Sequence, residues 1–171
     1  MMALTGDLSP GSGTLSHLFD DPGVALSVLN LLELMLLISD NSATDLCLRT
    51  AGGATVVTSH LRELGIDGIR VDRSTMELIV DLVGLDAPPP ENQRREADYD
   101  KLFSAVPEDV QESARKAYDE GMEDTSTPDA MARLLEMIWR GKILSAESTS
   151  LLIDIMTRCE TGLERLKGLL P

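Results

Sequence analysis

The densest apolar run in the chain, Ser27 to Ile38 (SVLNLLELMLLI), places Leu, Ile, Val and Met on nearly every face of a helical wheel. A helix with so little polar surface is predicted to be internal. The run stops at Ser39-Asp40-Asn41, three side chains that hydrogen-bond, and a second helical pattern starts at once. Ser42 is the candidate N-cap of that helix, with Asp45 at N3 and Gly52-Gly53 as its end. A third helix is expected from about Ala54 to Leu64, with Gly65 just beyond it. IDGIRVDR then reads as an extended connector. RSTMELIVDLVG reads as a helix, with Ser74 and Glu77 in capping-box spacing and Gly84 as the stop.

Residues 84–124 break this pattern. LDAPPPENQ predicts a stiff, turn-rich linker, and two polar helices are expected at about Asn92 to Ala105 and Pro107 to Glu120. The segment holds 12 acidic against 5 basic residues, half of the net charge of the chain, and reads as a solvated excursion. The apolar period resumes at Thr127, an N-cap followed by Pro128 at N1, and DAMARLLEMIWRG runs to Gly141. Ser145 caps the next helix, AESTSLLIDIMTRC, and LERLKGLL is expected to form a short closing turn. At the other end, residues 5–23 are dense in Gly, Pro, Ser and Asp and read as an irregular arm. No repeat and no convincing period-two alternation occurs. The expected fold class is all-α: one multi-helix globular domain over residues 1–171, with an irregular arm at 1–23 and an acidic inserted excursion at 84–124.

Composition narrows this picture. A chain of 171 residues buries about 70% of its unfolded surface. With aromatics at 3%, its core is necessarily aliphatic, which suits helix packing better than a β-sandwich. The formal charge of −14 repels polyanions and argues against nucleic acid or an anionic membrane surface as the main partner. Between Val24 and Ile38 the apolar run is interrupted by Ser27, Asn30 and Glu33 and is too short to span a bilayer. Met1 to Asp7 has neither a basic n-region nor an apolar h-region, so a soluble, cytoplasmic chain is expected. Cys47 and Cys159 sit among apolar neighbours and read as buried thiols, and no metal or other cofactor is expected. The two short helices of SATDLCLRTAGGATVVTSHLREL also fit a helix-turn-helix. Only His60 and Arg62 could then contact phosphate or base, and the overall charge opposes that use.

Taken alone, the Ser39-Asp40-Asn41 bend is a helix C-terminus joined to an N-cap. With its surroundings it is more specific. SDNSATDLCLRTAGG, LGIDGIRVDR, DTSTPDAMARLLEMIWRGKILSAESTSLLIDIM and LKGLLP, in that order, resemble the helical domain of class A β-lactamases. The resemblance covers nearly the whole chain apart from residues 84–123. That family combines Ser-x-x-Lys, which supplies the nucleophile, with Ser-Asp-Asn and Lys-Thr-Gly. The resemblance implies that Ser39 relays a proton toward the lactam nitrogen and that Asn41 hydrogen-bonds the acylamino group of the substrate. It implies that Asp40 turns inward to tie the bend down, and that Arg73 and Asp124 pair across the neck of a long loop. A β-lactam or a similar small anionic molecule is the implied substrate, and the family works in the periplasm or outside the cell.

The chain also departs from the family. Upstream of Ser39 there is no Ser-x-x-Lys; the match at Ser113-Ala-Arg-Lys116 lies downstream, on a solvated helix, and reads as coincidence. No Lys-Thr-Gly or Lys-Ser-Gly occurs. VDRSTMELI aligns with the loop that bears the deacylating glutamate at Asp72, Arg73 and Leu78, which puts Thr75 at the glutamate position and Ile79 at the asparagine position. Neither side chain can polarise a water. Asp45 stands where the family has an amide, and Glu77 and Asp81 read as the polar face of a capped helix. Two functional classes stay open: a β-lactamase-like serine hydrolase domain that is incomplete and inactive alone, and a helical binding module without catalysis. In the second, an apolar groove between Ser27–Ile38 and the last two long helices would receive a protein partner or a second copy.

Overall fold

The computed structural model describes residues 2–3, 10–11, 13–19, 24–90, 94 and 96–162. It is mostly helical, as the pattern predicts. Strand pairing among the described residues is confined to a two-residue antiparallel pair, β1 (Met2–Ala3) with β2 (Ala25–Leu26), and one bridge between Ile69 and Ser126. No helix among them is long and apolar enough to cross a membrane. The arm expected to be irregular contains the short helix α1 (Leu15–Leu18), and Leu15 is only 1% exposed.

Local chemistry sets most of the helix ends. In α2 (Val28–Ile38), the Ser27 side chain accepts from the backbone N–H of Asn30. α4 (Ala54–Glu63) starts after Gly53, and Gly65 follows its end at φ 73°. Both halves of the Ser74–Glu77 capping box are made at the start of α5 (Thr75–Val83), and Gly84 ends it at φ 86°. Thr127 and Ser145 cap α8 (Pro128–Trp139) and α9 (Ala146–Thr157). One cap differs from expectation. The N-cap of α3 (Asn41–Thr50) is Asp40, and Ser42 lies inside the helix, 1% exposed. Of the candidates in the run, Asp40 is the one whose carboxylate reaches the N3 N–H, that of Ala43, while staying buried.

The polar segment is less solvated than expected. It holds α6 (Glu96–Ala105) and α7 (Glu108–Glu120). α7 has no buried residue, but on α6 Tyr99 is 2% exposed and joins Met76 and Val80 of α5 in a core cluster, with Phe103 against it. The two rings lie 5.7 Å apart, tilted by 41°. Gly84 lets α7 approach, since a Cβ there would meet Val110 at 3.0 Å. The early part of the helix expected from Asn92, and the closing turn expected at 163–170, lie outside the described residues.

Fully buried apolar side chains of the described residues form three clusters. The first joins Leu15, Leu31, Ala43 and Leu46, the second Leu61, Ile66 and Ile69, and the third Met76, Val80 and Tyr99. Although α2 is apolar on nearly all sides, only Leu31 is fully buried in it.

Candidate functional site

Ser39 ends α2 in the left-handed conformation, φ 59° and ψ 44°, and the Asp40 N–H donates to the Leu34 carbonyl at 3.1 Å. This is the closing bond of a helix terminus that usually has glycine at the turn. A serine there costs about 1 kcal/mol. Among the described residues only Ser39 and Asp124 combine a side chain with positive φ, and such conformations cluster at functional sites. The strain at Ser39 leaves its side chain exposed at the tip of the bend.

Asp40 is 1% exposed. One carboxylate oxygen accepts from the Ala43 N–H at 2.8 Å. The other accepts from the N–H groups of Thr14 at 2.6 Å and Leu15 at 2.9 Å. A single buried charge thus closes the N-terminus of α3 and holds the 10–15 segment against it. Gly13, at φ 128°, makes room, because a Cβ there would lie 2.4 Å from the Asp40 carboxyl carbon. Next to it, the Asn41 Nδ2 donates to the Pro10 carbonyl at 2.7 Å. Gly11 follows in the same segment, between Asn41 and Ile79 of α5. Its partners Pro10, Gly13 and Thr14 belong to the arm read as irregular; the signal was the Pro-Gly-x-Gly spacing, which permits close approach without naming a target.

One helical turn after Asn41, the Asp45 carboxylate accepts from the N–H groups of Thr75 at 2.6 Å and Met76 at 3.0 Å. Asp45 therefore closes the N-terminus of α5 across a gap of 30 residues, a role that its sequence position alone did not reveal. Thr75, which the resemblance puts at the glutamate position, lies beside this carboxylate through its own backbone. Glu77 is held by the Ser74 N–H and hydroxyl at 2.7 and 2.8 Å. Asp81 is paired with the Arg73 guanidinium. Neither carboxylate is left to replace a general base.

The connectors beside α5 form a clasp. Arg73 Nε donates to Asp124 Oδ2 at 2.6 Å, with both side chains mostly buried. Asp72 and Asp124 exchange backbone N–H bonds to each other's carboxylates at 2.7 and 2.8 Å. The bond from Arg70, with the Asp124 N–H, holds the Asp72 carboxyl below its ordinary range. Burial opposes charge on Arg73, but its bonds to Asp124 and Asp81 hold its pKa above the ordinary value. The Tyr118 ring lies 5.8 Å from that guanidinium. Gly68 allows the strands to meet, since a Cβ there would lie 2.5 Å from the Thr127 hydroxyl.

A cleft of about 500 Å³ lies beside the start of α5, lined by Asp45, Arg49, Gly53, Arg73, Glu77 and Arg94. Neither Ser39 nor Asn41 lines it. Ser113 and Lys116 are exposed on α7. Of the side chains required by the helix-turn-helix reading, His60 pairs with Glu63 and Arg62 donates to the carbonyls of Ile66 and Ile69. Cys47 and Cys159 are half-buried rather than buried, and burial pushes the Cys47 thiol up. Two apolar grooves flank α8. One, of about 650 Å³, runs between α4 and α8; the other, of about 420 Å³, lies between α8 and α9. α2 and α9 pack against each other, and Leu31 on the first and Ile155 on the second are each 0% exposed.

The chain matches the model of a family described as "Beta-lactamase enzyme family" over residues 2–171. A carbapenem-hydrolyzing beta-lactamase KPC of Klebsiella oxytoca is 26% identical over 133 residues, 78% of this chain and 33% of that protein. An ancestral (GNCA) class A beta-lactamase structure aligns with a TM-score of 0.65 and 27% identity, covering 99% of this chain and 52% of that one. The TLA-1 extended-spectrum beta-lactamase aligns with a TM-score of 0.71 and 24% identity, covering 100% and 49%. The chain thus spans one third of that curated relative and about half of these solved structures.

Proposed function

Since this chain belongs to the beta-lactamase enzyme family, with the fold of the helical portion of class A members, we propose that it forms the helical wall of a β-lactamase-like serine hydrolase site and is inactive alone. The observation that carries this reading is the Ser39-Asp40-Asn41 bend: a strained, exposed serine and a partly buried amide locked in place by one buried carboxylate. In ring opening of a β-lactam, Ser39 would pass a proton to the departing lactam nitrogen and Asn41 would donate to the acylamino carbonyl. The Asn41 amide keeps a second N–H beyond the one given to Pro10. The chain has no Ser-x-x-Lys upstream of Ser39, no Lys-Thr-Gly, and threonine at the position of the deacylating base. Acylation and deacylation therefore lack their reacting groups.

A chromogenic cephalosporin should show neither a burst nor steady turnover with this chain. Turnover that disappears in Ser39→Ala would overturn the reading of inactivity. A pulse of substrate should still perturb the amide resonances of residues 39–41 at millimolar concentration; no perturbation there would remove the substrate-facing role of the bend. The second reading, a binding module, is favoured by a different observation, the apolar surface beside α8, where Trp139 is 72% exposed.

A further inference from the structure

We propose that the cleft beside the start of α5 is a binding site separate from the bend, which takes a small carboxylate with a short apolar chain and pairs its anionic end with Arg94. The guanidinium singles out this ligand. Arg62, Arg70, Arg73 and Arg94 are the half-buried arginines of the described residues, and the first three have carboxylate partners. Arg94 has none. Its Nε donates to the Pro89 carbonyl at 2.9 Å, which ties down one edge of the group and leaves both terminal nitrogens without an acceptor among the described residues. Burial raises the Tyr99 phenol, and the Arg94 charge lies close enough to oppose that rise, so the guanidinium sits toward the fold. In a chain with 29 acidic and 15 basic side chains carboxylates are plentiful, yet this cation faces a cleft instead of one.

The walls of the cleft decide the rest. Its volume of about 500 Å³ is that of a small-molecule site. Asp45 and Glu77 lie on N–H groups at the N-terminus of α5, whose positive end offsets them, and Asp72 pairs with Arg70. Each acid in the wall therefore has its positive complement, whereas Arg94 has a neutral carbonyl. Its two terminal nitrogens present parallel N–H groups that match the two oxygens of a carboxylate, and partial burial strengthens such a pair relative to one in water. Leu46, Leu48, Met76 and Pro88 also line the cleft and give a hydrocarbon chain an apolar wall. The charge of −14 repels a long polyanion, while a compact monoanion can answer to the local cation. α3, α5 and the polar segment that carries Arg94 all contribute to this site, and Ser39 and Asn41 do not.

Titration of the 171-residue chain with hexanoate should give saturable shifts of the Arg94 Nε–H resonance and of the Gly53 and Met76 amides below about 20 mM. Hexanamide keeps the chain and the carbonyl but lacks the charge, and should bind at least about 10-fold more weakly. Acetate, four methylenes shorter, should also lose at least about 10-fold. Arg94→Gln should weaken hexanoate binding at least about 10-fold, and Arg115→Gln, on the exposed side of α7, should leave it unchanged. The comparison of hexanoate with hexanamide uses the native chain, so it decides the question even where Arg94→Gln loosens the turn at Pro89. No saturable shift, equal binding of hexanoate and hexanamide, tighter binding of inorganic phosphate than of hexanoate, or unchanged affinity in a folded Arg94→Gln variant would each overturn the proposal. Shifts confined to residues 39–41 would also overturn it, while leaving the hydrolase reading in place, so the two failures are distinguishable.

Discussion

The N-termini of α3 and α5 are both closed by carboxylates, but they are closed in different ways. At α3 a single group, Asp40, is 1% exposed and takes three backbone N–H bonds from two segments. At α5 the work is divided. Ser74 accepts from Glu77, Glu77 accepts from Ser74, and Asp45 accepts from Thr75 and Met76. A buried charge that serves two segments constrains both at once, whereas a terminus whose N–H groups are divided among three side chains loses only some of its acceptors when one of them is changed. Ser39 and Asn41 flank the first carboxylate, and Thr75 is the first residue of the helix closed by the second.

The largest effect should come from breaking the undivided anchor. Asp40→Ala leaves the N–H groups of Thr14, Leu15 and Ala43 without their acceptor and should cost about 3–5 kcal/mol, read from urea midpoints at an unchanged m-value. Asp45→Ala takes the acceptor from two N–H groups, those of Thr75 and Met76, and because these are only partly buried and water can reach them it should cost less, about 1–2 kcal/mol. Equal losses would remove the distinction between the two termini.

The clasp at Arg73 and Asp124 sits between these cases, shielded from water but shared among several groups. Its contact at 2.6 Å joins residues 51 positions apart. Arg73→Ala strands part of Asp124 and releases Asp81, and should cost about 2 kcal/mol. The double variant with Asp124→Asn should cost much less than the sum of the two single changes. Faster proteolysis within 84–124 should accompany the loss, since the clasp closes that loop. Additive costs would show that the two groups act independently.

The same contrast explains what could be read from the chain. Caps whose donor and acceptor are three residues apart, Ser74 with Glu77, Thr127 before Pro128 and Ser145, were legible because the chemistry is local. The choice of Asp40 over Ser42 was not, since it depends on burial beneath residues 13–15, about 25 positions away. The role of Asp45 was hidden in the same way: a carboxylate at an N3-like spacing looks like a cap of its own helix, and only the fold brings α5 above it. Tyr99 was also missed. The two aromatics of the polar run EADYDKLFSA offer little helical periodicity, and the burial of Tyr99 comes from Met76 and Val80 of α5, far away in sequence.

A smaller test addresses why threonine stands at position 75. Asp45 already places its charge on the Thr75 and Met76 N–H groups, so a glutamate at 75 would face a carboxylate at close range. Thr75→Glu should cost about 1–1.5 kcal/mol in the native chain and about 0.5 kcal/mol less than that when Asp45 is replaced by Asn. The amide keeps one acceptor for the helix terminus and removes the repulsion. If the cost of Thr75→Glu is the same with and without Asp45, the two side chains do not repel each other across the start of α5.

The weakest effect at neutral pH, and the one that probes the other face of α5, belongs to Tyr99. Burial pushes its phenol well above the ordinary tyrosine value. The folded protein therefore holds this proton more tightly than the unfolded chain does. The resulting stability is fully present below the unfolded pKa of about 10 and is lost as pH rises above it, at up to about 1.4 kcal/mol per pH unit for one group. Tyr99→Phe keeps the ring against Met76 and Phe103 and gives up the 3.4 Å contact from the hydroxyl to the Met76 sulfur. Urea unfolding at pH 7 should change by less than about 0.5 kcal/mol, while the decline between pH 10 and about 11 should become shallower by one proton. An unchanged alkaline slope would mean that Tyr99 ionises without opening the α5–α6 contact, and that this end of α5 is as interchangeable as its capped beginning.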